Sequence, residues 1–439
     1  MAALSSRAVA TLGSAFAWLM LPLAAGPSHA ATRRVPADQP TVAAALAASA
    51  SGDTVLIAPG AYHERVDLPA GVSLLADGPP ASVTLDADLA GACILVRAGT
   101  AGTRIVGLRL IGGRGNTSGG LATGGDLLVD GGMLAVTDCR FEAGDATYGG
   151  GTATVAADVV FTRCVWQGGQ AVYGGGHFQV GGSVTLDGAT FESPHATQGG
   201  AIFVTGGAHA NVLGGRIHDA TASGDGGGAH LDNAVVELSR VVFDGDHAGG
   251  RGGALKLAAG AQVLVSFTVF VENDADLGGG AFYVSCESVA PSGLSADCAL
   301  LSMTHCDVIS NRGAAPAAGA VTDPGAVRLI NSIVAGNTSG LACLDPRSTL
   351  DVTCCDLYRN GGPDLSGNCL AAPGAGNLAV DPYLCDLPAR DCGLCANSPL
   401  AAPGACDPYW GVSDVRCGPC TATPVAPFTW GQLKALYRR

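Results

Sequence analysis

The chain of 439 residues contains 66 glycines, and 48% of it is hydrophobic against 14% charged. So much apolar material excludes a disordered glycine-rich linker, and the glycines must punctuate structure. A formal charge of -14, with Lys256 and Lys434 as the only lysines, leaves no basic stripe to follow a phosphate backbone and argues against nucleic acid as a partner.

Residues 1–30 read as a secretory signal. Arg7 supplies the positive start, Val9 to Leu23 the apolar core and Ser28-His29-Ala30 a small-residue cleavage site, so the mature chain is expected to begin near Ala31. Gly13, Ser14 and Pro22 weaken that run below the ~20 apolar residues of a spanning helix, and no later segment qualifies as one. Export places the 16 cysteines, an even number, where they pair as disulfides.

Next, Thr41 to Ala50 predicts a short capping helix, followed by strands at Thr54 to Ala58 and Val72 to Leu75. A repeat then governs the chain. Strand-like runs end on Phe141, Trp166, Phe191, Ile217, Phe243, Phe270, Val308 and Val334, at steps of 25, 25, 26, 26, 27, 38 and 26 residues. A glycine marker keeps phase with them: Gly149-Gly150-Gly151, Gly174-Gly175-Gly176, Gly199-Gly200-Ala201, Gly227-Gly228-Ala229, Gly252-Gly253-Ala254 and Gly279-Gly280-Ala281. A unit of short strands without helical periodicity cannot bury an apolar face alone and must stack on its neighbours. Its size is that of one turn of a parallel β-helix. Glycine falls at the corners, where the chain turns sharply and adjacent coils leave little room for a Cβ.

Asn273, Asn311 and Asn337 each stand three residues past an anchor, where stacked amides can hydrogen-bond along the axis. In the long step, Cys286 and Cys298 bracket a Pro/Gly/Ser loop and are expected to close it as a disulfide. Cys139 and Cys164 occupy equivalent places in adjacent coils, about 4.8 Å apart if stacked. An inward thiol ladder is favoured there over a disulfide, which prefers a larger Cα separation.

The opening segment, with its helix, the strand from Gly52-Asp53-Thr54-Val55 and the turn Gly60-Ala61-Tyr62-His63-Glu64, resembles the start of many extracellular right-handed β-helix proteins of the pectin lyase-like superfamily. Gly199 to Ile202, Gly252 to Leu255 and Phe270 to Asn273 resemble the G-G-A-[ILV] and F-x-x-N repeats of chlamydial polymorphic outer membrane proteins. The resemblance spans about residues 35–340 and implies fold and export. Those proteins end in a membrane β-barrel, and no room for one follows the repeat here, so anchoring by that route is not expected. The superfamily also includes pectate lyases, pectin esterases and polygalacturonases. None of their site signatures is intact: Gln170 to Tyr173 echoes the esterase glutamine motif without the D-F-I-F-G that should follow.

A site can still be assembled from successive coils. One residue past the glycine corners stand Thr152, His177, Ile202, His230, Leu255 and Phe282, followed by Ala153, Phe178, Phe203, Leu231, Lys256 and Tyr283. Strand residues alternate faces, so one of the two sets points outward. Leu255 and Phe282 want the core, whereas His177, Gln179, His230 and Asp232 want water, so the two halves disagree on parity unless a bulge intervenes. Facing out, His177, His230, Asp232 and Lys256 with the corner residues Tyr148 and Tyr173 form a polar and aromatic strip suited to gripping a sugar. The alternative is a solvated face with stacked corner tyrosines. Gly224 to Asp232, "GDGGGAHLD", is one copy of a Gly/Asp pattern that leaves Ca²⁺ open; otherwise no cofactor and no metal is expected.

After Val334 the period fades, and Cys343 to Cys420 holds ten cysteines, with C-x-x-C spacing at Cys392/Cys395 and Cys417/Cys420. Zinc and redox readings both apply to that spacing, but the crowd of neighbouring cysteines and the exported context favour disulfides. The basic tail "TWGQLKALYRR" is either a docking or sorting tag or a frayed terminus.

The expectation is therefore an all-β chain: a signal peptide (1–30), a single right-handed parallel β-helix (31–340) with an N-terminal capping helix, a disulfide-rich C-terminal cap shielding the last coil (341–420), and a linker with basic tail (421–439). It is expected to be monomeric, secreted or on the cell surface, without a transmembrane segment once the signal is removed. Its expected role is structural and adhesin-like, binding polysaccharide or surface glycan; the alternative is a polysaccharide lyase or hydrolase.

Overall fold

The computed structural model describes residues 30–421, apart from 100–101, 119–120, 288–297, 315, 317, 322–324, 370–373, 402–405, 407–410 and 413–414. Residues 1–29 of the signal peptide, 288–297 of the loop between Cys286 and Cys298 and 422–439 of the tail lie outside the described residues.

The chain winds into an all-β parallel solenoid of about 13 turns. The eight anchors pair coil to coil in one unbroken register, Phe141 with Trp166, then Phe191, Ile217, Phe243, Phe270, Val308 and Val334. Their rings stack inside the coil, Phe141 on Trp166 at 5.1 Å, Trp166 on Phe191 at 4.6 Å and Phe243 on Phe270 at 5.1 Å. No single coil could bury these rings; the stack does it for all of them.

Corners recur as rows of left-handed backbone. One row runs through Asp138, Arg163, Arg240, Phe267, His305 and Asn331. Another runs through the glycines 149, 174, 199, 226, 252 and 279. Side chains are tolerated in the first row but not in the second: a Cβ on Gly149 would sit 2.1 Å from the Thr152 carbonyl oxygen.

Axial hydrogen bonds tie the coils together. Asn311 Oδ1 accepts from the backbone N–H and the Nδ2 of Asn273, both at 3.0 Å, and Asn311 Nδ2 donates to the Phe270 carbonyl and to Asn337 Oδ1, also at 3.0 Å. Asn337 repeats the pattern with Asn360. The ladder begins one coil earlier, at Asp246, whose N–H donates to Asn273 Oδ1. A second row follows the left-handed corner. Cys139, Cys164, Thr268, Cys306, Ser332 and Cys355 each donate a side-chain hydrogen to the carbonyl two residues back. Cys139 and Cys164 are thus unbonded inward thiols.

The six cysteines outside disulfides, Cys93, Cys139, Cys164, Cys306, Cys355 and Cys392, are all buried. Burial pushes the Cys306 and Cys355 thiols up to about 12. Thiolate is the reactive form, so iodoacetamide at pH 8 should leave all six unmodified in the native protein and alkylate all six in guanidinium, as read by intact mass.

At the N-terminus, Val42–Ala47 forms a helix whose first turn is held from two sides. The Thr41 hydroxyl accepts from Ala44 N–H, and the Glu64 carboxylate accepts from Val42 and Ala43 N–H at 3.0 and 2.9 Å. Negative oxygen at a helix start satisfies otherwise orphaned donors.

The parallel ladder continues past residue 340, through Leu341–Cys343, Thr349–Thr353, Asp356–Tyr358 and Leu365–Gly367. Beyond it the disulfides Cys385–Cys417 and Cys395–Cys420 staple a small sheet of Leu384–Asp386, Asp391–Cys395 and Val415–Cys417, and Cys354–Cys406 ties the segment between its strands to the ladder. Cys343–Cys369 and Cys286–Cys298 complete the five bridges. Each C-x-x-C pair therefore splits, and Cys392 takes part in no disulfide.

The expected position of the C-terminal region on the end of the last coil needs correction. This sheet lies along the flank. Leu384, Cys392, Leu394 and Leu400 pack on Val271, Ile309, Ile333 and Ala335, and Arg390 reaches back to Asp244 and Glu272. The cause is the chemistry of the residues beside the anchors. They are polar in early coils, as with Arg140, Glu142, Gln167 and Glu192, and apolar in later ones, as with Val269, Val271, Ile309 and Ile333. Three successive coils therefore present an apolar flank that must be covered.

Candidate functional site

The strip expected beside the glycine corners resolves into two rows. His177 pairs with Thr152 and Ile202, and that row continues through Ala229, Leu255 and Phe282, all facing the core. His230 belongs to the other row, between Phe203 and Lys256, which leads on to Tyr283. The parity conflict has a simple origin: the fourth corner uses Gly226, Gly227 and Gly228, so Ala229 opens the strand instead of closing the turn. No bulge is involved.

His177 is 1% exposed. Its Nδ1 lies 2.8 Å from the Thr152 hydroxyl, which also accepts from Trp166 Nε1 at 3.0 Å. Burial pulls the imidazole down to about 3 and keeps it neutral. It is a core residue.

The second row is buried by its own side chains. Phe178 and Phe203 form a small apolar cluster outside the sheet, under the stacked rings of Tyr148 and Tyr173, whose centroids are 5.4 Å apart. His230 stacks on Phe203 at 5.0 Å, and its Nδ1 meets Gln198 Oε1 at 3.1 Å. Lys256, 1% exposed, follows it; Nζ donates to Ser285 Oγ at 2.5 Å and lies 4.7 Å from the centre of the Tyr283 ring. Burial lowers this ammonium to about 8, against the opposing pull of Asp225, Glu287 and Asp232. Burial likewise holds His230 at about 3, and Lys256 adds to that drop. Arg251 packs over Tyr283 at 5.0 Å and pairs with Glu287 at 3.3 Å. Asp225 is engaged by Arg251 N–H at 2.8 Å, and Asp232 is buried. Of the six residues expected to form an outward strip, Tyr148 and Tyr173 alone keep partial exposure.

A wide open feature lies on another face. On the outward side of the strands that follow each corner, one row runs Ser183, His209, Val235, Gln262, Leu300, Ala326 and Thr349. The row beside it runs Asn211, Glu237, Leu264, Ser302, Arg328 and Asp351. Together they line an open channel of about 890 Å³. Leu264 is 60% exposed, Leu300 47% and Val235 44%, and amide, hydroxyl and carboxylate groups are interleaved with them. Sequence reasoning passed over this face. Its signal was broken alternation: Val235-Val236 and Leu300-Leu301 put apolar groups on both faces of one strand.

Among the described residues, clusters with metal-ligand spacing occur at His63, Asp86 and Asp88 and at His247, Asp274 and Asp276; a third, Cys385, Cys395 and Cys417, is tied up in disulfides. No protein-family model matches the chain, and no curated protein matches it. Among solved structures, the chain is similar to the A-module of a mannuronan C-5 epimerase from Azotobacter vinelandii, at 13% identity and a TM-score of 0.40, over 77% of this chain and 93% of that one. A likeness at that level does not bear on activity.

Proposed function

We propose that this is an exported binding protein that holds a linear polymer, a glycan chain, along the outward channel, in a structural or adhesin-like role. The observation carrying the reading is the register-matched pair of rows from Ser183 to Asp351. Stacked coils repeat about every 4.8 Å. An extended chain lying parallel to the axis would therefore meet the same alternation of aliphatic and polar groups coil after coil. Sugar rings present C–H faces and hydroxyls together, and both find partners on such a grid. Secretion, membership of the pectin lyase-like superfamily and a monomeric state belong to the same proposal.

The test is retention of the purified mature protein on a panel of immobilised acidic and neutral polysaccharides, with and without Ca²⁺. Retention on one polymer, lost at least tenfold in Leu264→Asp, is the expected result. Loss without unfolding is expected because Leu264 is exposed and opposite the core. No retention on any polymer, or equal retention of the variant, would sink the reading.

The second reading, a polysaccharide-acting enzyme, draws on one observation: the lowered ammonium of Lys256 beside Tyr283, Arg251 and three carboxylates. Perturbed ionisable clusters of this kind gather at active sites as well as in structural networks. Turnover in the same panel, abolished by Lys256→Met, would favour it.

A further inference from the structure

A cleft of about 490 Å³ opens where the C-terminal sheet meets the flank of the solenoid. Val241, Val242 and Val269 give it an apolar floor, and Phe267 lines it as well. Three arginines, Arg240, Arg390 and Arg416, line it against one acidic residue, Asp307. That concentration is unusual in a chain with 23 basic and 37 acidic residues.

The three arginines are not equivalent. Arg390 is committed to the fold by Asp244 and by Glu272 at 3.2 Å. Arg416 approaches Asp391 only at 4.0 Å, and both side chains are well exposed. Arg240 is exposed, lies over the Phe267 ring at 5.7 Å, and has no carboxylate within ion-pair distance among the described residues. Asp307 is partly used within the fold, its Oδ1 accepting from Val412 N–H at 3.2 Å. Two cations at the cleft thus lack a close buried counter-ion.

Phe267 supplies an independent observation. It occupies the left-handed corner row at φ 49°, where other coils place Asp138, Arg163, Arg240, His305 and Asn331. A bulky residue there costs about 1 kcal/mol of backbone strain. Its ring nevertheless stays 39% exposed, stacked on His305 at 4.9 Å. Of that row it is the one aromatic hydrocarbon ring, held at the cleft between the Arg240 guanidinium and His305 with part of it open to solvent.

We propose that this cleft is a binding site for a cyclic organic anion, a ring bearing one carboxylate or sulfate. The ring lies against Phe267, and the oxyanion sits between Arg240 and Arg416. Guanidinium suits this task because its planar fork donates two parallel hydrogen bonds to such a group. The cleft is also of ligand size, with an apolar floor and charged groups at its rim. It lies on a different face from the proposed polymer channel, so either can fail without the other.

The experiment titrates the full oxidised protein with 2-naphthoate, with glucuronate and with the neutral 2-naphthalenemethanol, following heat and amide chemical shifts. Saturable binding of an anion is expected, weakened about tenfold by Arg240→Gln, since one charge-assisted pair is lost. Phe267→Ala should weaken it similarly, whereas Arg328→Gln, on the outward channel, should not. Both test positions are exposed, and unchanged far-ultraviolet dichroism with unchanged Tm establishes that the variants fold. Tighter binding of naphthoate assigns an aromatic acid, and tighter binding of glucuronate a sugar acid; either supports the site. No binding of either anion, equal binding of the neutral alcohol, or an unaffected Arg240→Gln overturns it.

Discussion

Replacing Asn311 by alanine is expected to cost about 4 kcal/mol of stability, several times the cost of a truncation at the end of the asparagine ladder. The side chain is fully buried and makes four hydrogen bonds. Its loss leaves the Asn273 N–H, one Asn273 amide hydrogen, the Phe270 carbonyl and Asn337 Oδ1 without those partners. Each orphaned buried group costs about 1–3 kcal/mol, so four together cost at least about 4 kcal/mol, and partial relaxation holds the loss near that lower end. Coil-to-coil coupling spreads the damage, because each coil is stable only through its neighbours. Asn360→Ala is the control. It sits at the open end of the ladder and is partly exposed, so water replaces what is removed and a loss of about 1 kcal/mol is expected. Urea unfolding of the oxidised protein measures both. Equal losses would mean that the ladder contributes no more inside the solenoid than at its end.

This ladder was legible in the sequence because each asparagine keeps a fixed offset from its anchor, and the anchors themselves predict register correctly in every coil. The glycine marker failed once. Gly226-Gly227-Gly228 followed by Ala229 contains two overlapping readings of the same motif, and composition cannot choose between them, whereas the hydrogen-bonded register does. That slip of one residue moved His230 to the wrong row and hid its neighbour relation to Lys256. The polar look of His177 misled for a different reason. A neutral imidazole with a hydroxyl partner is acceptable in a core, and no local pattern announces the Thr152 that supplies it, 25 residues away. The flank covered by the C-terminal sheet was readable in principle, from the change of Glu142, Gln167 and Glu192 to Val271, Ile309 and Ala335 at equivalent places. What covers it was not, since the partner is a disulfide-stapled sheet whose pairing no spacing rule dictates.

Where the ladder begins, an acid stands in place of an amide, and Asp246→Asn should therefore make the protein more stable at neutral and alkaline pH. Asp246 is fully buried, with Oδ1 accepting from Ala220 N–H at 2.9 Å and Oδ2 without a partner. The ladder's pattern puts Oδ2 where Asn273, Asn311 and Asn337 carry Nδ2, facing acceptors. A carboxylate there meets oxygen; a carboxylic acid can donate. Burial raises the group well above the usual carboxylate range, with Asp219 adding to the rise and Ala220 N–H, Arg216 and Arg390 opposing it. The folded chain thus takes up a proton that the unfolded chain, near pH 4, releases. Such a group gives its full stabilisation below the unfolded value and loses it as pH rises through the folded one. Asp356, raised to about 7 by burial, acts in the same direction between about pH 4 and 7. An amide at 246 has no proton to lose and donates at every pH. The variant should exceed the wild type by more than about 1.4 kcal/mol at pH 8, the worth of one pKa unit, and converge on it near pH 4. Urea midpoints at the two pH values decide the matter. A variant less stable than the wild type at pH 8 would show that Asp246 is ionised in the fold and held by Arg216 and Arg390, so that the ladder starts with an ion pair and not with a donor.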